Sequence, residues 1–159
     1  MTETKSKYVY EFAEEKDGEE ISSLLEKVPF KGDVSLSYAK RPNAIQSAKI
    51  DFDKTAFVVA KKQQTREICG VGVCSLYKTY VDGQIENTAY LGGLRTNLKS
   101  RLNIIKAYKM LQDFCAENQV KYTYTTILKD NIYVALVLVI VFTIFIYCID
   151  KSCSGSLIG

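Results

Sequence analysis

The sequence of 159 residues contains no histidine. Without an imidazole, a Ser-His-Asp triad, a Cys-His nucleophile pair and a histidine-ligated metal centre are all excluded. Any proton transfer would have to use a carboxylate, tyrosine, cysteine, lysine or water.

Cysteine spacing argues against a thiol-based or zinc site. The five cysteines are an odd number and include no CxxC pair. Residues 1–7 are polar and lack the apolar core of a signal peptide. These features predict a reduced, cytosolic body in which the thiols act as small buried hydrophobes. The five are Cys69, Cys74, Cys115, Cys148 and Cys153.

The chain also lacks a strong charge of either sign. Its 21 basic and 18 acidic residues give a net charge of +3. This excess is too small to indicate a nucleic-acid partner, which usually meets a concentrated basic face. A few cations around a phosphate group remain compatible with it. Hydrophobic and charged contents of 47% and 25% are those of a folded globular protein.

The hydrophobic pattern predicts a mixed α/β sheet. The predicted strands are Lys7–Phe12, Thr55–Lys61, Ile68–Val81, Gln84–Leu94 and Lys121–Leu128. Asp82-Gly83 is a two-residue hairpin signal, and Gly92-Gly93 predicts a bulge or a close backbone approach. The order β-α-loop-β-β-β-α-β indicates antiparallel hairpins with at least one crossover.

Two amphipathic helices are predicted. The first begins after Asp17, the expected cap, with Glu20 three residues on as in a capping box, and ends before Pro29. Its apolar face consists of Ile21, Leu24, Leu25 and Val28. The second, Leu102–Asn118, has a stripe of Ile104, Tyr108, Leu111 and Cys115, with Ile105 and Phe114 beside it. Residues 30–52 are expected to form a loop with short helical pieces.

The run Tyr90–Thr96 (YLGGLRT) resembles the central strand of GNAT-type N-acetyltransferases. It continues into a basic turn, the second predicted helix and a strand ending at Asp130-Asn131. Three upstream segments, 41–43, 70–72 and 81–83, also lie where that superfamily often places them. The resemblance covers residues 8–131 and implies a GNAT-like acyl-CoA N-acyltransferase fold for residues 1–131.

The resemblance also implies acetyl-CoA as the acyl donor. The strand ending at Leu94, Arg95 and Thr96 would splay from its neighbour and pair through its main chain with the pantetheine arm. An N–H near Leu94 would polarise the thioester carbonyl. Amides of the following turn would hold the pyrophosphate at the helix N-terminus. The turn comprises Arg101, Leu102, Asn103, Ile104, Ile105 and Lys106, and Asn131 completes the implied cofactor contacts.

Two side chains are implied for the chemistry, which is direct attack by a small-molecule or peptide amine. Glu86, on the return strand, is the candidate general base, although a glutamate on such a strand is more often just an outward-facing charge. Tyr133 is the candidate acid for the leaving thiolate, although its apolar surroundings do not favour that role.

The turn at residues 101–106 departs from the family pattern. The family usually reads Arg/Gln-x-x-Gly-x-Gly/Ala there, since bare glycine lets amides close on a phosphate, and this turn has no glycine. Lys99, Arg101 and Lys106 could contact phosphates by side chain, or be an ordinary solvated helix start. The alternative function is therefore a catalytically inactive GNAT-like binding domain that its C-terminal segment tethers to a membrane.

Residues 132–149 are eighteen uncharged, mostly apolar positions. The GNAT-like fold that the resemblance implies would therefore be incomplete at the C-terminus. As a helix they would span about 27 Å, close to the bilayer core of about 30 Å. They are the candidate membrane anchor of a cytoplasmic domain, in contact with lipid, followed by a polar tail at residues 150–159. A pair of buried strands or an altered C-terminus are the other interpretations.

Overall fold

The structure is a computed structural model that describes residues 7–28, 39–97 and 104–126. The elements in these ranges are β1 (Tyr8–Phe12), α1 (Gly18–Lys27), α2 (Ala44–Asp51), β2 (Lys54–Lys62), β3 (Ile68–Val81), β4 (Gln84–Thr96), α3 (Ile104–Glu117) and β5 (Tyr122–Thr125). Their order is the predicted one, and α2 is a short helix within the expected loop of residues 30–52.

The five strands form one sheet in the order β1-β2-β3-β4-β5. The first three neighbouring pairs are antiparallel, and β4 pairs with β5 in parallel. A parallel pair needs a crossover connection, and α3 lies within it. The predicted mixed sheet with one crossover is thus confirmed. Asp82 and Gly83 have φ of 51° and 79°, which suits a tight hairpin turn.

The helices cover opposite faces of the sheet. On the α1/α2 face, Leu25 and Ala48 belong to one core cluster with Phe57 and Val59 of β2. On the α3 face, Ala60 and Cys69 form a second cluster, against which Ala107 and Met110 pack. Because successive side chains of a strand point to opposite faces, β2 and β3 each supply residues to both clusters.

The start of α1 differs from the sequence prediction at Asp17. It makes no side-chain cap for this helix, so the predicted capping box is wrong. Its buried carboxylate instead accepts hydrogen bonds from Glu14 N at 2.9 Å and Lys61 Nζ at 2.7 Å. Glu20 accepts from Ile68 N at 2.7 Å. One oxygen of the Asp17 carboxylate thus belongs to the capping box of a short 3-10 turn, Glu15–Asp17, that precedes α1, and the other oxygen pairs with Lys61, a buried lysine that requires a carboxylate partner.

The stripe predicted on α3 is confirmed at Leu111, Phe114 and Cys115, which are all buried. Ile105 is 60% exposed, so its predicted place beside that stripe is wrong. The turn of the helix carries Ile105 away from the residues that contact the sheet.

Within the described ranges, no helix is both long and apolar enough to cross a bilayer. The predicted span at residues 132–149, the polar tail and the domain boundary at residue 131 lie outside those ranges.

Candidate active site

Strand β4 contains the bulge that the glycine pair predicts. Val73 pairs with Gly92 and Val71 with Arg95, so Gly93 and Leu94 together stand opposite Gly72 alone. Gly93 has a φ of 61°. A Cβ on Gly93 would lie 2.7 Å from Cγ2 of Val73. Both the backbone conformation and the close approach therefore require glycine here.

The bulge lies just past the end of the β4–β5 pairing. The parallel pairing runs from Thr88, opposite Tyr122, to Leu91, opposite Thr125. Among the described residues, β5 offers no partner to Gly92, Gly93 or Leu94. A ligand lying along this side of the bulge would meet the main-chain groups of these residues that point away from β3. The predicted splaying of the strands concerns residues beyond 126, and it stays a prediction.

A cavity of about 140 Å³ opens beside the bulge on the α1/α2 face. Its described lining residues are Leu25, Lys40, Ala44, Ala48, Phe52, Phe57, Val73, Ser75, Tyr90, Gly92, Gly93 and Arg95. Strands β3 and β4 form the floor, and α1 and α2 form a wall. The cavity thus joins an apolar wall to the half-buried glycines of the bulge.

Asn43 holds α2 in place over the cavity. Its side-chain oxygen caps the helix, accepting from the N–H groups of Ile45 at 3.0 Å and Gln46 at 3.1 Å. Its amide nitrogen donates to Glu15 O at 3.1 Å. A Cβ on Gly18 would lie 1.8 Å from this oxygen, so the first residue of α1 must leave room for the cap. The two helices are thereby fixed to each other.

Arg95 brings a cation to the floor of the cavity. Its side chain is buried, with the residue 5% exposed, and Nη1 donates to Leu94 O at 2.8 Å. Burial lowers the pKa of Arg95 to about 10. In a regular strand Arg95 would face opposite to Tyr90 and Gly92. The extra residue of the bulge reverses that alternation and turns Arg95 to the cavity side.

A tyrosine cluster of Tyr77, Tyr90 and Tyr124 adjoins the cavity. The hydroxyls of Tyr77 and Tyr124 are hydrogen-bonded, and the Tyr90 hydroxyl is 2.8 Å from Thr126 Oγ1. The ring centroids of Tyr90 and Tyr124 are 5.2 Å apart. Burial raises the pKa of Tyr77 to about 12, helped by the bond to Tyr124. Tyr77 therefore keeps its proton at neutral pH.

Glu86 lies at the other end of β4 from the bulge. Its carboxylate is 2.5 Å from Lys121 Nζ, in an ion pair whose side chains are 17% and 55% exposed. Six residues separate Glu86 from Gly92, which in a strand is about 20 Å. The structure therefore does not bring this predicted base to the bulge, and its catalytic role stays a prediction.

The other predicted site residues divide into two groups. Leu94 and Thr96 end β4, and Ile104, Ile105 and Lys106 form the first turn of α3. Nζ of Lys106 lies 5.7 Å from the ring centroid of Tyr10. The remaining predicted residues, Arg101, Leu102, Asn103, Asn131 and Tyr133, lie outside the described residues.

Sequence reasoning misses the cavity and two of its side chains. From the sequence, Tyr90 is noted only as part of the YLGGLRT motif, and Arg95 is predicted to contribute only its main-chain groups. The glycine pair is the available signal, since a bulge implies that the residues after it change faces. Nothing local indicates that α2 covers this face, because its contacts come from residues far away in the sequence.

No family model and no curated protein matches the sequence. Solved structures match it over most of its length. The enzyme AAC(6')-Iy, in complex with a CoA-S-monomethyl-acetylneamine bisubstrate analogue, has a TM-score of 0.63 and 14% identity, covering 86% of this chain and 90% of that chain.

Two further structures are similar. The glucosamine-6-phosphate N-acetyltransferase of Arabidopsis thaliana has a TM-score of 0.58 and 13% identity, covering 79% of this chain and 86% of that chain. A predicted acetyltransferase from Clostridium acetobutylicum, with acetyl-CoA, has a TM-score of 0.57 and 14% identity, with coverages of 77% and 82%. At such identities the likeness concerns the fold. The fold of this chain is that of the GNAT acetyltransferases, as the sequence resemblance implied.

Proposed function

We propose that this chain is an N-acetyltransferase that uses acetyl-CoA and transfers the acetyl group directly to a primary amine. The observation that carries the proposal is the bulge at Gly93, located just past the end of the β4–β5 pairing and beside a cavity. The similar fold of structures that contain acetyl-CoA or a CoA bisubstrate analogue supports it. Fold alone would be a weak argument for activity.

The residues present suit acetyl-CoA as the donor. An extended pantetheine arm needs a row of main-chain donors and acceptors, and Gly92, Gly93 and Leu94 have no β5 partner among the described residues. The resemblance also assigns main-chain contacts to Arg95 and Thr96, and the first turn of α3 would favour the anionic diphosphate. Residues 101–103 and Asn131 remain proposed contacts. When bound, acetyl-CoA supplies an activated acetyl group on a thiol leaving group.

The chain's own groups then have three tasks. We assign to the N–H of Leu94 the stabilisation of negative charge that develops on the reacting carbonyl. The apolar cavity wall of Leu25, Phe52 and Phe57 limits water around the reacting groups. The roles of Glu86 in proton removal from the amine and of Tyr133 in proton donation to the thiolate stay proposals, and the distance of about 20 Å between Glu86 and the bulge does not favour the first of them.

Calorimetric titration of the full chain with acetyl-CoA tests the donor site. We expect saturable binding, and product analysis by mass spectrometry should show acetylated amine with release of free CoA. Absence of binding at millimolar acetyl-CoA would end the enzyme interpretation.

Glu86→Gln tests the base separately, with Lys121→Gln as its matched control. Both variants break the same ion pair, so an effect of losing that pair should appear in both. If Glu86 removes the amine proton, only Glu86→Gln lowers kcat, by about 100-fold or more, as for loss of a general base. Equal kcat in the two variants would show that Glu86 only pairs with Lys121.

A second candidate function is suggested by the turn at residues 101–106, which has no glycine. In this second function the domain keeps the fold but does not transfer an acetyl group, and residues 132–149 tether it to a membrane. It predicts no acetylated product with any amine, even where acetyl-CoA binds.

A further inference from the structure

The fold brings two cysteines into contact between β3 and α3. Cys74 and Cys115 are 41 residues apart in the sequence, and their sulfur atoms are 3.5 Å apart. Both residues are buried, with exposed fractions of 0% and 3%. Their spacing in the sequence is not that of a CxxC pair, so only the tertiary structure places the two thiols together.

The contact is close enough for a disulfide to form after a small approach of the two sulfurs. A disulfide joins sulfur atoms about 2.05 Å apart, so the approach needed is about 1.5 Å. Cys69, which is also fully buried, provides the contrast. Its thiol donates to the carbonyl of Ala60 at 3.1 Å. Among the three described cysteines, only Cys74 and Cys115 form a dithiol.

The two thiols of this pair have different surroundings. Hydrogen bonds from Cys74 and from the Thr123 side chain lower the pKa of Cys115, against the opposing effect of burial. The bond with Cys115 and burial raise the pKa of Cys74. Because the thiolate is the reactive form, Cys115 is the thiol that attacks an oxidant. Cys74 keeps its proton and is placed to react second.

An oxidant can reach Cys115 through the end of α3. Cys115 lies two residues before Glu117, the last residue of the helix, and the ends of helices open more readily than their centres. The strand that follows, β5, has only four residues. Opening of this last turn would expose the sulfur to a small oxidant without unfolding the central strands.

We propose that Cys74 and Cys115 form a redox-active dithiol, which hydroperoxides such as hydrogen peroxide convert to a disulfide. The Cys115 thiolate attacks one peroxide oxygen, the O–O bond breaks, and the released hydroxide takes up a proton to leave as water. The sulfenic acid formed on Cys115 is then attacked by Cys74. The S–O bond breaks, and the oxygen leaves as a second water with the proton of the Cys74 thiol. Two thiols and one hydrogen peroxide thus give one disulfide and two waters. The reaction does not depend on the proposed function.

Peptide mapping of the full chain tests the disulfide. The folded protein is treated with hydrogen peroxide, free thiols are alkylated in denaturant, and trypsin then releases peptides 67–78 and 110–121. A disulfide should join these two peptides, and dithiothreitol should separate them. Absence of the cross-linked pair from the oxidised, folded chain would overturn the proposal without any variant.

Three variants identify the cysteines that are joined, because peptide 67–78 contains both Cys69 and Cys74. Cys74→Ala and Cys115→Ala should each abolish the cross-link. Cys69→Ala is the matched control, since it also removes one fully buried thiol, and it should keep the cross-link. A cross-link that survives in Cys74→Ala, or that disappears in Cys69→Ala, would contradict the assignment.

Trapping with dimedone, which labels sulfenic acids, tests the order of the two steps. In Cys74→Ala, hydrogen peroxide should leave a labelled sulfenic acid on Cys115, since the second thiol is missing. In Cys115→Ala, Cys74 should be labelled at least about tenfold less, because fewer of its thiols are ionised. Equal or greater labelling of Cys74 would overturn the assignment of Cys115 as the attacking thiol.

Discussion

At the residue scale, Gly93 meets two separate requirements. Its φ of 61° is unfavourable for residues with a Cβ, and that Cβ would also meet Val73 at 2.7 Å. Gly83, in the hairpin turn, has a φ of 79°, but a Cβ there would have nothing within 4 Å. Comparison of these two glycines separates backbone strain from packing at the site.

Gly83→Ala should lower the free energy of unfolding by about 1–2 kcal/mol, the cost of a positive φ alone. Gly93→Ala should cost more, about 2–4 kcal/mol, because Val73 or the bulge must also move. Chemical denaturation measures both. Gly93→Ala should weaken acetyl-CoA binding in addition, and Gly83→Ala should not. Similar costs for the two variants would show that the contact with Val73 relaxes freely.

The buried ion pair of Asp17 and Lys61 is the second residue-scale feature with a measurable consequence. The side chains are 8% and 6% exposed. Burial opposes both charges, but hydrogen bonds within the pair prevail, so the pKa of Asp17 is lowered and that of Lys61 is raised. The Asp17 contribution is therefore present above the ordinary pKa of 3.8 and is lost as pH falls through the lower folded value.

Asp17→Asn should lower the free energy of unfolding at neutral pH by about 2–4 kcal/mol, since Lys61 retains Glu11 at 3.0 Å but loses its closer partner. Denaturation between about pH 7 and pH 3 should also show a flatter acid limb in the variant. The control is Lys49→Met, which breaks an exposed pair with Glu15 and should change little. An unchanged acid limb in Asp17→Asn would mean that the pKa of Asp17 is not depressed in the folded state.

At the element scale, the cavity depends on how α1 and α2 meet. Asn43 caps α2 and also bonds to Glu15, and its oxygen occupies the space where Gly18 would carry a Cβ. Because Ala44 and Ala48 of α2 line the cavity, a displaced cap would alter the cavity wall. The start of one helix thereby decides the position of the next.

Gly18→Ala should destabilise the protein by about 1–2 kcal/mol, although alanine is the better helix former, because the loss of the Asn43 cap outweighs that gain. Thermal or chemical denaturation measures the effect. Glu19→Ala, on the exposed side of α1, should be nearly neutral. In an Asn43→Ala background the penalty of Gly18→Ala should disappear, and an additive double variant would refute the proposed coupling.

At the scale of the whole molecule, the open issue is the apolar run at residues 132–149, which lies outside the described residues. The sequence expectation is a membrane anchor beside a GNAT-like domain. The double variant Val137→Lys, Val141→Lys should move the full chain from the membrane pellet to the supernatant. Each lysine at the centre of the run costs about 2.5–3.5 kcal/mol of insertion free energy. Val137→Leu with Val141→Leu is the control. Equal pelleting of the two double variants would exclude a membrane anchor at residues 132–149.

The sequence alone determined the elements and their order. Alternating apolar residues and the Asp82-Gly83 turn predicted β3 over its full observed range, and the spacing of Ile21, Leu24 and Leu25 predicted the buried face of α1. These features are local, because each depends only on residues that are close together in the sequence. The fold itself was predicted from the resemblance over residues 8–131, in which the order of elements is more specific than any single motif.

Tertiary structure alone decided which side chains meet. Asp17 pairs with Lys61, 44 residues away, and does not cap α1. Arg95 faces the cavity because a bulge against β3 reverses the alternation of β4, and α2 covers that cavity through contacts with α1. The physical reason is the same in each case: burial makes unpaired charges and empty space costly, and only the folded chain brings distant residues close enough to satisfy them.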